Sequence, residues 1–321
     1  MMTKRLTFTL VAAALIAAAP AAFADGEKIA VFTKNNTNPY FQAVRLGTDS
    51  AAKQMRAVLT HFVPTKPDSI PEQMSQLEDV IVRKPDAIVF VPVDYKAMVP
   101  GVEKVNAAGI PVVNFIDRSS GGKFISFVGA DDYTLGMATA RHLIQGMGSK
   151  GNVVIIEGVR GSLTSNDRVR GFNAAIKEAP GVKLLASQPA NYQRLQALQV
   201  MENLMQSHPQ IDGVLAANDA MALGALEALD GAKRKARVVG INATKEGVDA
   251  IKAGRMMASG YYNGFLQGCI GMMIAVRNLR KEAVPKEVIL PALVVDKTNY
   301  GPYDLPVEQR SCPKWEEMVK G

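Results

Sequence analysis

Residues 28–63 read KIAVFTKNNTNPYFQAVRLGTDSAAKQMRAVLTHFV. Two short apolar, β-branched runs, 28–33 and 58–63, flank a longer segment, 39–55, whose apolar positions include Phe41, Val44, Ala51 and Ala52. The pattern predicts strand, helix, strand. The strands are nearly continuous apolar runs rather than alternating ones. A strand reads that way when both faces of a parallel sheet are covered. A right-handed crossover is the default link between such strands.

The alternation continues outward from this stretch. A helix is predicted over 70–83, with Met74, Leu77, Val80 and Ile81 at helical spacing. A strand over 87–91, a helix over 95–108 and a strand over 111–115 follow. The pattern then begins again, with strands over 124–128, 153–156, 182–186, 213–217 and 238–241. Helices over 131–145, 166–178, 193–207, 219–229 and 245–253 lie between and after them. A third block has a strand over 256–260, a helix over 263–279 and a strand over 292–295. Two α/β halves of about 130 residues fit this length better than one very wide sheet.

The first 24 residues read differently. Lys4 and Arg5 precede an apolar run from Leu6 to Ala19, which Pro20 breaks. Ala22-Phe23-Ala24 supplies a small–x–small cleavage pattern. This is the anatomy of a secretory signal peptide, with Asp25 as the expected mature N-terminus. The alternative, a membrane anchor, needs about 20 apolar residues. Outside the cytoplasm ATP, NAD and DNA are scarce, which weighs against functions that depend on them.

Hydrophobic residues at 48% and charged residues at 21% suit an ordinary soluble globular protein. The net charge is +7, and loss of Lys4 and Arg5 lowers it to +5. The tightest basic cluster, Lys233-Arg234-Lys235, has no interleaved aromatics. It reads as a solvated loop, not a nucleic-acid patch. The densest later apolar stretch, Gly268 to Val276, is about half the length of a membrane span. Cys269 and Cys312 can pair outside the cytoplasm. The loop of about 43 residues would be worth about 4 kcal/mol on the chain-entropy model. Alternatively both are unpaired thiols, with Cys269 a small hydrophobe on a helix. No histidine (His61, His142, His208) lies near either in sequence, so neither reads as catalytic.

In a sheet of this kind, ligands bind beyond the carboxyl ends of the strands. The residues there are Lys34 to Phe41, Pro92-Val93-Asp94, Asp117-Arg118, Gly158 to Asp167, Asn218-Asp219 and Asn242. Asn, Asp, Arg and aromatic residues dominate. Each hydroxyl of a polyhydroxylated ligand both donates and accepts, and carboxylates, guanidinium groups and amides supply both partners. The rings of Tyr40, Phe41 and Tyr192 can cover the C–H faces of a sugar. Asp117, Asn166 and Asn218 each also fit a plain helix cap. No HExxH, G-x-S-x-G, P-loop or dinucleotide fingerprint is present. The adjacent Asp131 and Asp132 suit a helix start better than acid–base catalysis. No catalytic residue, metal site or cofactor is expected.

The chain resembles the periplasmic sugar-binding proteins of the ribose/galactose-binding type over nearly its whole mature length. Four segments carry the likeness: 38–41 (NPYF), 110–118 (IPVVNFIDR), 186–192 (ASQPANY) and 217–225 (ANDAMALGA). Arg168 with Gly171-Phe172 is that family's usual helix opening. The resemblance implies a type I periplasmic binding protein fold: two similar lobes, each a parallel sheet flanked by helices in the Rossmann manner, joined by a three-segment hinge. Residues 25–128 and 262–291 would form the N-terminal lobe. Residues 129–261 and 292–321 would form the C-terminal lobe and tail. It implies a monomeric substrate-binding protein of an ABC importer, closing on a monosaccharide or related polyol and handing it to the permease membrane subunits. The alternative is a sugar acid or other carbohydrate-derived signal, presented to a chemoreceptor or sensor kinase. A transcription regulator shares the core but needs an N-terminal helix-turn-helix where this chain has its leader, so nucleic acid is not an expected partner.

By the same resemblance Asn38, Tyr40, Phe41, Asp117, Arg118, Tyr192 and Asn218 match ligand-binding positions. Four positions depart. Lys34 stands where the ribose type has serine, Asn166 where it has a ligand-binding arginine, Asn242 where it has aspartate, and Tyr262 near a glutamine. These departures put ribose itself in doubt and formally add about one positive charge. Some 25 residues follow the last expected strand, about where the ribose type ends. They are expected to pack across the hinge or onto the first lobe, tied by Cys312 to Cys269 if those pair.

Overall fold

The computed structural model describes residues 26–318, so the leader expected over residues 1–24 lies outside the described residues. In chain order the elements are β1 (Lys28–Phe32), α1 (Pro39–Met55), β2 (Val58–Phe62), α2 (Ile70–Arg83), β3 (Ala87–Phe90), α3 (Val99–Ala107), β4 (Val112–Phe115) and β5 (Ser126–Ala130). There follow α4 (Asp132–Gly146), β6 (Gly151–Glu157), α5 (Leu163–Lys177), β7 (Val182–Pro189), α6 (Arg194–Ser207), β8 (Gly213–Ala216), α7 (Asp219–Gly231), β9 (Arg237–Ile241), α8 (Lys245–Lys252) and β10 (Ala258–Gly260). Last come α9 (Gly264–Leu279), β11 (Glu287–Leu290), β12 (Val294–Asp296) and α10 (Trp315–Met318).

They form two similar lobes. One six-stranded sheet has the order β11-β5-β4-β3-β1-β2, the other β12-β10-β9-β8-β6-β7. Every pairing is parallel except that of β12 with β10. The apolar runs explain this. All of β3, β4 and β8 is buried, because helices cover both faces. The chain passes between the sheets after β5, after β10 and between β11 and β12.

The ends of the helices fix where the loops point. Asn38 caps α1 by accepting from the Tyr40 amide, with Pro39 just inside, and the helix stops at Arg56 in the left-handed conformation. Helices α1 and α9 pack backbone to backbone, since a Cβ at Gly47 would collide with the Phe265 carbonyl. That contact brings Tyr40 and Tyr262 to the same place, with ring centroids 5.6 Å apart.

Three local expectations differ from the structure. The segment 95–98 is a turn rather than the start of a helix, because Asp94 accepts from the amides of Lys96 and Ala97 at 2.8 and 2.7 Å. Strand β11 is absent from the sequence reading. It is four residues long, half exposed and flanked by Pro285 and Pro291, so it carries little pattern. Helix α5 begins three residues before the expected 166, because Ser162 accepts from the Ser165 amide and caps it there. Of the basic cluster, Lys233 and Lys235 are exposed, while Arg234 donates to the carbonyls of Met205, in the last turn of α6, and of His208 and Pro209 just beyond it. Among the described residues no helix is long and apolar enough to cross a membrane.

Candidate functional site

The carboxyl ends of both sheets face one cavity between the lobes. Lys34, Asn38, Tyr40 and Phe41 come from the turn after β1 and the start of α1. Ile116 and Asp117 follow β4. The second lobe contributes Ser162, Thr164 and Arg168 after β6, Tyr192 after β7, Asn218 after β8 and Asn242 after β9. Tyr262 sits on the crossover after β10.

Backbone geometry aims two of these side chains. Ile116 has φ 69°, a strained value for a β-branched residue, and the Asp117 amide donates back to the Phe115 carbonyl at 2.8 Å. The strain is held by bonds from the Ile116 amide to Val128 O at 2.7 Å and from Tyr262 Oη to Ile116 O at 2.8 Å. This reversal turns Asp117 inward and Arg118 outward. On the other wall Asn191 and Tyr192 both have positive φ, 50° and 60°. They bring the Tyr192 ring against Gly158, where a Cβ would overlap the ring.

Each buried cation in the wall faces a buried carboxylate. Lys34 Nζ lies 2.7 Å from Asp117 Oδ2, with side chains 5% and 1% exposed. Arg168, 2% exposed, donates from Nε to Asp132 Oδ1 and from Nη1 to Ala217 O, both at 2.8 Å, and lies 4.5 Å over the Tyr262 ring. Burial pushes the Asp132 carboxyl up, to about 7, against the pull of the Arg168 guanidinium. Burial likewise raises the phenols of Tyr40, Tyr192 and Tyr262, so all three stay protonated donors. Three polar atoms on these side chains, Tyr40 Oη, Tyr192 Oη and Arg168 Nη2, are buried without a protein partner. Such atoms are costly to leave unmatched, and hydroxyls of a bound molecule would satisfy them.

The lobes are closed on each other. The Thr164 amide donates to Asp117 Oδ1 at 3.2 Å, the Tyr95 amide to Gly161 O at 3.2 Å, and Thr37 Oγ1 to Gln193 Oε1 at 3.0 Å. Each of these bonds runs from one lobe to the other.

Nine of the eleven residues expected to bind ligand line this cavity: Lys34, Asn38, Tyr40, Phe41, Asp117, Tyr192, Asn218, Asn242 and Tyr262. Asn38 and Asn218 are also caps, of α1 and α7, so the cap reading of Asn218 holds in a residue that also lines the cavity. Arg118 and Asn166 are not brought in. The Arg118 side chain is 47% exposed, pairs with Glu287 and stacks 3.7 Å over Phe127. Asn166 lies within α5 because that helix starts early, and it is Arg168, two residues on, that reaches the cavity. Positions two apart face opposite ways on a helix. Asp131 caps α4 as expected, whereas Asp132 turns in to Arg168. Ser162 and Thr164 also line the cavity, within the expected loop 158–167 though not singled out there, and Ile116 was not expected as a site residue. A signal for Arg168 was present: it falls in the stripe Thr164, Arg168, Gly171, Phe172, Ala175 that α5 buries. Cys269 and Cys312 are joined in a disulfide, with Cα atoms 5.7 Å apart. Among the described residues no group of three or more His, Cys, Asp or Glu is placed to hold a metal ion.

A family model described as the periplasmic binding protein domain matches residues 29–283. The ribose import binding protein of Haemophilus influenzae is 30% identical over 92% of this chain and 100% of its own length. Among solved structures, a periplasmic solute-binding protein of an ABC transporter from Actinobacillus succinogenes, with bound D-allose, superposes with a TM-score of 0.82. It is 33% identical and covers 86% of this chain and 100% of that one. The fructose-binding periplasmic domain of a hybrid two-component system superposes with a TM-score of 0.80 at 26% identity, covering 87% of this chain and 93% of that one.

Proposed function

The chain belongs to the periplasmic binding protein domain family, and we propose that it is the substrate-binding protein of an ABC importer. It takes a neutral monosaccharide or related polyol between its lobes and presents the closed form to the permease. It is exported by the leader cleaved after Ala24 and performs no chemical step. Its two moving bodies are residues 26–130 with 262–291 and residues 131–261 with 292–296. The expected division at 128 shifts to 130 because β5 pairs with β11 through Ala130, and the tail beyond 296 is tied to both bodies rather than to the second alone.

One observation carries the neutral reading. The four buried charges at the cavity are matched pairwise, Lys34 with Asp117 and Arg168 with Asp132, while two phenol hydroxyls and Arg168 Nη2 remain to be matched. The added positive charge that favoured a sugar acid is thereby offset inside the wall. Ligand contacts from both lobes then favour the closed state. Native mass spectrometry of freshly purified protein, followed by calorimetric titration with pentoses, hexoses, polyols and sugar acids, tests this. A neutral member is expected to bind, and binding by none of them would sink the reading.

The likeness to the fructose-binding domain of a two-component system supports a second reading, in which the closed form is presented to a sensor kinase or chemoreceptor. Loss of a sugar-induced transcriptional or chemotactic response on deleting this chain, with uptake intact, distinguishes it from transport.

A further inference from the structure

After β12 the chain runs back over both lobes. Its near part is held by the second lobe. Asp304 accepts from Lys252 Nζ at 2.8 Å and lies 3.3 Å from Lys245 Nζ, both on α8, and the Tyr303 ring packs 4.9 Å from that of Tyr261. Its far part is held by the first lobe. Cys312 is bonded to Cys269 of α9, its sulfur lies 3.5 Å from the Gly47 carbonyl of α1, and the Arg277 guanidinium stands 4.5 Å over Trp315. Between the anchors the chain is drawn in. Arg310 folds back to the carbonyls of Tyr303 and Leu305 at 3.2 and 2.9 Å, and a 3-10 turn at Val307–Gln309 packs on α1. Beneath it runs a groove with Pro39 on one lobe and Thr244 on the other. The crossing segment itself lies outside residues 29–283, the part the family model matches, while its anchors on both lobes lie within it.

We propose that residues 297–318 form a strap across the hinge that resists opening and raises the population of the closed state. Rotation of the lobes about their three crossovers widens the gap between Pro39 and Thr244. A segment fixed to both sides must then lengthen or let go. The eight steps from Asp304 to Cys312 reach about 27 Å when extended, so the strap does not forbid opening. Opening has to undo the Val307–Gln309 turn, the Arg310 bonds or the Asp304 bridges. The disulfide makes the far anchor permanent, so release falls to the Asp304 end. Contacts made only in the closed form bias the ligand-free protein toward it, and affinity gains by the competent fraction. The proposal rests on hinge closure, not on which solute is bound.

The test compares wild type, the double variant Cys269→Ser/Cys312→Ser and Asp304→Ala by small-angle scattering without ligand, then by titration with D-allose and D-ribose. Both variants are expected to show a larger ligand-free radius of gyration. Any sugar that binds should bind about three- to tenfold more weakly, through faster dissociation. Asp304→Ala keeps the disulfide and the packing at Trp315, so it separates the strap from a folding defect. Ligand-free scattering unchanged from wild type in Asp304→Ala and in the folded double variant overturns the proposal. If neither sugar binds, the solute reading is the one in question, and the scattering comparison still decides the strap.

Discussion

The two walls of the cavity hold their charges differently. On the second lobe, Arg168 and Asp132 come from two packed helices, α5 and α4, and the guanidinium is further fixed by Ala217 O in the same lobe. That wall is complete before the lobes meet. On the first lobe, Lys34 and Asp117 come from two loops, and the other oxygen of Asp117 accepts from Thr164 across the cleft. That wall is finished only on closure. On the proposed function, the difference would give recognition to the second lobe and coupling of recognition to closure to the first.

Substitutions can break this contrast, and the largest effect is expected at Arg168. Arg168→Met leaves Asp132 buried and unpaired, which should cost about 3–5 kcal/mol of stability. In whatever remains folded, binding should be lost beyond about a hundredfold, and the double variant Arg168→Met/Asp132→Leu should recover stability without recovering binding. Thermal unfolding and calorimetry read the two effects. Lys34→Met should weaken binding by about ten- to a hundredfold with less loss of stability, because Asp117 keeps its bond to Thr164. If the first wall acts through closure, most of that loss appears as faster dissociation. Gly158→Ala should displace the Tyr192 ring and cost roughly tenfold in affinity with the fold intact. Arg118→Ala should change affinity by less than about twofold, since its partners are an exposed carboxylate and a surface ring.

The two cationic positions also show what a sequence can carry. The fold was legible because strands covered on both faces read as unbroken apolar runs, and even the order of the two blocks followed. Edge strand β11 was not, since four half-exposed residues between prolines carry no such run. At the site, nine of the eleven expected side chains line the cavity, seven of them named as residues just after strands, with Tyr192 singled out as a covering ring and Tyr262 supplied by the family likeness. Arg118 and Asn166 failed for a geometric reason. Side-chain direction there is set by a one-residue reversal at Ile116 and by a cap three residues earlier than read, and neither leaves a composition signal. Likeness placed a binding arginine near the right helix but two positions away from Arg168. The tail was expected to pack on the hinge or first lobe, and its ties to both lobes became visible only with Asp304 and Cys312 in place.

The smallest effect concerns pH. The Asp132 carboxyl is raised to about 7 by burial. Lowering the pH from 8 to 6 adds its proton and leaves the Arg168 charge unmatched. Any affinity for a sugar acid should therefore rise as the pH falls, while that for a neutral sugar should change less. Titrations at both pH values, with Asp132→Asn as the control that removes the dependence, measure this.

The most direct measurement pairs each aldose with its own aldonic acid, D-ribose against D-ribonate and D-allose against D-allonate, by calorimetry at pH 7.5. The skeletons match and the charge differs. A cavity whose buried charges are already paired should bind the neutral member of a recognised pair about a hundredfold or more tighter. An acid that binds as tightly as its aldose, or tighter, would contradict it.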